Sequence, residues 1–140
     1  MPVLQGLEPQ AVFSFFEQLA AIPHGSGNTE RVSRWLAEFA QARGLDCIRD
    51  TMNNVIIVGP ASAGYAEAPT VILQGHMDMV CEKEPGCPLN METDGLDLAV
   101  DGDLVLARGT TLGGDDGLAV AMMLAILDDT PAMVHPEQKE

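Results

Sequence analysis

The sequence predicts an α/β fold, helices mixed with buried strands, on three observations. Helical apolar stripes fill the first third, β-branched runs between turn signals fill the middle, and an apolar helix follows a glycine-rich turn. Pro9 can open a first helix, in which Val12, Phe15, Phe16, Leu19 and Ile22 recur at helical spacing. Pro23-His24-Gly25-Ser26-Gly27 breaks it. Asn28 or Thr29 can cap a second helix with Val32, Trp35, Leu36, Phe39 and Ala40 along one face. Gly44 stands where a left-handed cap would end that helix.

The period then changes. Residues 45–49 read as a strand, Met52-Asn53-Asn54 as a turn, and Val55-Ile56-Ile57-Val58 as a buried strand stopped by Gly59-Pro60. Val71-Ile72-Leu73 resumes as a strand running on through Gln74-Gly75-His76-Met77-Asp78, before a loop over 81–95. Asp101-Gly102 signals a hairpin between 96–100 and 104–107. The glycine-rich turn 109–117 feeds a helix over 118–128. Its residues 118–127 are apolar on every side, so it needs protein all round it. A strand–helix–strand crossover would follow it with another apolar strand. Only Met133-Val134-His135 precedes the polar run Pro136-Glu137-Gln138-Lys139-Glu140, and the expected architecture is interrupted.

A chain of 140 residues suits one domain, and 46% hydrophobic with 20% charged residues is a globular composition. Acidic residues outnumber basic ones 21 to 7, for a net charge of −14. Such a surface repels polyanions, which excludes nucleic acid as a partner and disfavours anionic membranes, while it suits cations. The 3 cysteines, Cys47, Cys81 and Cys87, form no C-x-x-C pair and fit neither a disulfide framework nor a thiolate zinc knuckle. No basic n-region precedes an apolar stretch, and the longest apolar run is too short to span a bilayer. A soluble, cytoplasmic protein is expected.

Two motifs carry the chemistry. In Gly75-His76-Met77-Asp78 the strand period puts His76 and Asp78 on one face, so the carboxylate can orient the imidazole. For a bare His-x-Asp, a surface imidazole beside a loop carboxylate is the ordinary outcome. In Gly113-Gly114-Asp115-Asp116-Gly117, Asp116 reads mainly as a helix cap, which leaves Asp115 to aim at a ligand. No Gly-Lys-Ser/Thr follows to make a phosphate loop, and the EF-hand spacing is absent. Together, a His and an Asp from separate strand ends suit a divalent ion such as zinc, cobalt or manganese. Two ligands are still too few, since catalytic zinc takes three protein ligands and an open position. Glu82 and Glu84 read as solvated, His24 as a turn residue, and the cysteines and methionines as packing.

With Leu-Gln-Gly-His76-Met-Asp78-Met-Val-Cys-Glu-Lys and Ala107-Arg108-Gly-Thr-Thr-Leu-Gly-Gly-Asp115-Asp116-Gly117, the chain resembles the dizinc M20 metallopeptidases, in their aminoacyl-histidine or cytosol non-specific dipeptidase branch. The resemblance runs from the first helix to the helix after Gly117. It implies the N-terminal part of a zinc-peptidase-like catalytic domain, with a mixed sheet flanked by helices, over 1–135. Residues 136–140 are then a polar tail, and the lid or dimerisation domain is absent. It implies that His76 ligates one metal, that Asp115 bridges two, most simply zinc with cobalt or manganese as substitutes, and that Asp78 is the catalytic-site aspartate orienting His76. Asp116 stands where the family often has Asn, and Gly114 where Ala is common. The implied activity is hydrolysis of dipeptides, Xaa-His among them, with a homodimer in the full-length form.

The Glu-Glu pair, the later Asp and the distant His of such enzymes have no candidate in the chain. It is therefore expected to be a truncated N-terminal segment carrying half the metal site, inactive alone. The alternative is a non-catalytic metal-binding or interaction remnant.

Overall fold

Two helices pressed against each other organise the chain: α1 (Gln10–Ala20) packs along α3 (Gly114–Leu127). In this computed structural model residues 2–129 are described; the expectations for His135, its short apolar run and the 136–140 tail lie outside them. Phe15, Phe16, Leu19 and Ala20 form the buried face of α1, and Val120, Ala121 and Leu124 meet them from α3. Gly117 makes the approach possible, because a Cβ there would stand 3.1 Å from Leu19 Cδ2 and 3.3 Å from Phe16 Cε1.

The second helix, α2 (Glu30–Ala42), buries Val32, Ser33, Leu36, Phe39 and Ala40, with Trp35 half-buried at the edge of the stripe. Phe39 meets Phe15 edge to face, with ring centroids 5.5 Å apart. Arg43 closes this corner. Its guanidinium lies 3.8 Å from the Phe39 centroid and pairs with Asp128 at 2.6 Å, joining the C-terminal ends of α2 and α3. Thr29 takes the N-cap position without a side-chain cap bond, and its hydroxyl receives Asn53 Nδ2 at 3.4 Å instead. Gly44 adopts φ +66°, the left-handed ending expected of it.

Among the described residues four short strands pair as two separate antiparallel hairpins, β1 (Asp46–Arg49) with β2 (Val55–Val58) and β3 (Leu98–Asp101) with β4 (Leu104–Ala107). Both hairpins fall where turn chemistry predicts them: Asp50 Oδ1 accepts the amides of Met52 and Asn54, and Gly102 turns at φ +59°. Helices and strands are mixed as expected, but the strands do not merge into one mixed sheet. Residues 71–78 belong to no ladder, although their burial alternates residue by residue as a strand's does. Val71, Leu73, Gly75 and Met77 turn inward while Ile72, Gln74 and His76 turn outward. No neighbouring strand among the described residues completes their hydrogen bonds, so the run is extended and unpaired.

Among the described residues the helix α3 is covered on one side, not all round. Leu118 and Met122 remain 37% and 47% exposed, and Ile48, Ile56 and Val58 face outward together from β1 and β2.

His24 lies at the junction of these parts, 3% exposed, with Nδ1 2.6 Å from Ile22 O. Burial holds its imidazole below the ordinary value of 6.5, against smaller upward pulls from the Ile22 carbonyl and the Asp78 charge. The unfolded chain therefore takes up this proton first as pH falls through 6.5, and stability drops. His76, raised, acts only above 6.5, and the lowered carboxylates act far below it. Urea unfolding measured across the range just below 6.5 should show stability falling with pH, with a flatter slope in His24→Asn. Equal slopes in the two proteins would contradict the assignment.

Candidate functional site

The end of the extended run, the turn before α3 and the loop after α1 meet at one point. Met79 is pinned by two backbone bonds, its amide to His24 O at 3.0 Å and its carbonyl receiving Ser26 N at 3.1 Å. This parallel bridge between Gly25 and Met79 requires close contact, since a Cβ on Gly25 would lie 2.7 Å from Cys81 Sγ. Further on, Thr111 N reaches Glu82 O at 3.0 Å and Thr111 Oγ1 donates to Val80 O at 2.7 Å. Segment 80–84 thus holds segment 108–111, which leads into the glycine turn. Gly113, at φ +76°, has Met79 Sδ 2.8 Å from where a Cβ would be. That contact fixes where Asp115 emerges.

The result is an imidazole contacted at both nitrogens. His76 Nδ1 lies 2.8 Å from Asp78 Oδ1 and 3.0 Å from Asp78 O, while Nε2 lies 3.1 Å from Asp115 Oδ1. His76 and Asp78 share a face as the strand period requires, and Asp115 comes from 39 residues further along. Hydrogen bonding to Asp115 and then to Asp78 lifts the His76 imidazole above 6.5. The other oxygen of Asp78 receives Ser26 Oγ at 2.6 Å, and this bond, ahead of the His76 contact, lowers the Asp78 carboxyl below 3.8. The site is open: the His76 side chain is 51% exposed and that of Asp115 96%.

Asp116 departs from the capping role expected of it. Gly113 is the N-cap residue of α3, without a side-chain cap bond, and Asp116 Oδ2 instead accepts the backbone N–H of His76 at 3.2 Å. Helical geometry begins only after Asp115 and Asp116, whose φ/ψ are non-helical, so Asp116 can reach back toward the extended run. Gly75 leaves room for it, since a Cβ there would collide with Asp116 Oδ2. Neither Asp116 nor Ser26 was legible as a site residue, because each acts across the fold; only the glycines flanking Ser26 hinted at a close approach.

Glu82 and Glu84 are exposed, and Cys47, Cys81 and Cys87 are free and half-buried, as expected. Burial pushes the Cys47 and Cys81 thiols up, away from the reactive thiolate. Among the described residues no group of three or more His, Cys, Asp or Glu could hold a metal ion. His76 Nε2 and an Asp115 oxygen are two convergent donors of the kind zinc takes, short of the three that a catalytic site needs. Ser26, the partner of Asp78, borders a cleft of about 690 Å³ with Asn28, Arg31, Val80 and Glu92; His76, Asp78 and Asp115 do not line it. No helix among the described residues is long and apolar enough to cross a membrane.

The Gly75–Asp116 contact makes a measurable claim. Gly75→Ala should destabilise the fold by about 1–3 kcal/mol through overpacking. In an Asp116→Ala background most of that cost should vanish, a coupling that urea denaturation of the double-mutant cycle can read. Purely additive effects would place the clash elsewhere.

No family model matches the chain. A cytosol non-specific dipeptidase of Escherichia coli (strain K12) is 36% identical over 136 residues, covering 97% of this chain and 28% of that relative. The crystal structure of an aminoacylhistidine dipeptidase from Vibrio alginolyticus aligns with a TM-score of 0.87 at 35% identity, over 90% of this chain and 26% of that one. A tripeptidase from Staphylococcus aureus subsp. aureus Mu50 aligns at 0.68 and 25% identity, over 86% and 32%. The chain spans between a quarter and a third of the length of these relatives.

Proposed function

We propose that this chain, which matches the N-terminal portion of the M20-type dipeptidases in sequence and fold, contributes half of a dinuclear metal site for dipeptide hydrolysis. One observation carries the reading: His76 Nε2 and Asp115 Oδ1 converge from separate elements with Asp78 behind the imidazole. His76 would be a terminal ligand of one ion, Asp115 the carboxylate shared by two, and Asp78 the group that holds the imidazole. Residues 1–135 would form the segment of the catalytic domain, and the substrate class is a dipeptide, Xaa-His included. We place the protein in the cytoplasm by analogy with the E. coli relative's name.

When bound, the two divalent ions, zinc by preference, would supply Lewis-acid polarisation of the scissile carbonyl and a more acidic water. The chain's own residues prepare for this. Nδ1–H directed at Asp78 Oδ1 and Asp78 O would leave the Nε2 lone pair to a cation that displaces the proton Nε2 shares with Asp115 Oδ1. The Asp115 carboxylate, almost fully exposed, has both oxygens accessible to cations. Asp116, bonded to the His76 amide, keeps the backbone of the run in register with the turn. The acidic excess of 21 to 7 favours the local concentration of cations.

The described residues offer no third ligand, which favours a chain that binds metal weakly and does not turn over. Cobalt titration followed by absorbance should show one weak site, with affinity falling at least about tenfold in His76→Ala and in Asp115→Ala. The 140-residue chain should hydrolyse no dipeptide above background. In a chain extended to the relatives' length, His76→Ala should lose bound metal and turnover together. Metal content and turnover unchanged by that substitution would remove His76 from the site.

A further inference from the structure

We infer that Ser26 is a positioning residue: its hydroxyl locks the Asp78 carboxylate so that the other carboxylate oxygen holds the Nδ1–H tautomer of His76. Ser26 Oγ donates to Asp78 Oδ2 at 2.6 Å, and Asp78 Oδ1 faces His76 Nδ1 at 2.8 Å. A carboxylate with one oxygen free would rotate about its Cβ–Cγ bond and let the imidazole flip. With both oxygens engaged by different partners, one rotamer remains.

The hydroxyl is placed by backbone, not by chance of a rotamer on a free loop. Ser26 N donates to Met79 O at 3.1 Å and Asn28 N to Gly25 O at 2.8 Å, so the loop turns beside the extended run. Gly25 lies against Cys81 with no room for a side chain. His24, buried beneath, accepts the amide of Met79 on its carbonyl. The competing acceptor, Met79 O, lies 3.5 Å from Ser26 Oγ, at the limit of a hydrogen bond, so Asp78 takes the proton. A relay thus runs from Ser26 through Asp78 and His76 to Asp115, with the loop after α1 at its far end. Ser26 also lines the cleft of about 690 Å³, so a ligand entering there would meet the same hydroxyl.

The inference rests on the reading of His76 as a ligand only for its consequence, not for the relay itself. The test is ¹⁵N NMR of the imidazole in the metal-free full chain carrying Asp115→Ala, so that Nε2 has no carboxylate to donate to, at a pH well above the imidazole range. With Ser26 intact, His76 should show Nδ1 protonated and Nε2 bare. Ser26→Ala should mix the tautomers, and Ser26→Thr, which keeps the hydroxyl, should restore the Nδ1–H form. With Asp115 in place, cobalt affinity should follow, down about tenfold in Ser26→Ala and recovered in Ser26→Thr. Since the residue 26 amide still reaches Met79 O in each variant, backbone signals of the His24–Met79 bridge should stay in place. An unchanged tautomer in Ser26→Ala, failure of Ser26→Thr to rescue, or shifts spread across the whole bridge would overturn the role. A tautomer that responds as stated without any cobalt binding would instead refute the ligand reading and leave the relay standing.

Discussion

The site depends on the imidazole of His76 being contacted on both sides, by Asp78 at Nδ1 and by Asp115 at Nε2. An exposed histidine has no reason to hold one orientation in water, where rotamer freedom costs nothing to keep. Two carboxylates on opposite nitrogens remove that freedom, and the second comes from 39 residues beyond the imidazole, on the other side of the hairpin β3–β4. Any distortion that separates the extended run from the turn before α3 dissolves the arrangement. The folded chain is, in that sense, a device for keeping two segments in register.

Three separate contacts keep that register. The buried face of α1 against Val120, Ala121 and Leu124 sets where α3 starts, with Gly117 admitting the closest approach. Met79, 3% exposed, is bonded to the loop after α1 and packed under Gly113. Asp116 ties the turn to the His76 amide directly. None of these contacts is an ion pair; they are apolar packing and hydrogen bonds of backbone amides, one of them accepted by the Asp116 carboxylate. The same elements leave apolar side chains outward, Ile48, Ile56, Ile72 and Met122 among them. A surface of that kind is what a larger catalytic domain would cover, in keeping with relatives of three to four times the chain's length.

Local patterns in the sequence made most elements legible. The stripes of α1 and α2, the strand Val55–Val58 and the two hairpins follow from side-chain period and turn chemistry, which act over a few residues. His76 and Asp78 were legible as neighbours for the same reason, since two residues on a strand face one way. The meeting of His76 with Asp115 has no local signature; it was suggested by pairing the two motifs as donors to one cation, and the motif resemblance made it specific. Asp116 looked like a helix cap because an acidic residue before an apolar helix normally is one; here the helix starts late and the carboxylate points back. Thr29 and residues 71–78 make the complementary point. Local preference selects a cap position and an extended run, but side-chain bonds and ladder partners are supplied by the rest of the fold.

The most direct test is diffraction from cobalt-soaked crystals at wavelengths on either side of the metal edge. The account requires an anomalous peak within coordination distance of both His76 Nε2 and an Asp115 carboxylate oxygen, with Asp78 still on Nδ1. A peak at some other cluster of side chains, or an imidazole turned away from Asp115 with no peak between them, would contradict it.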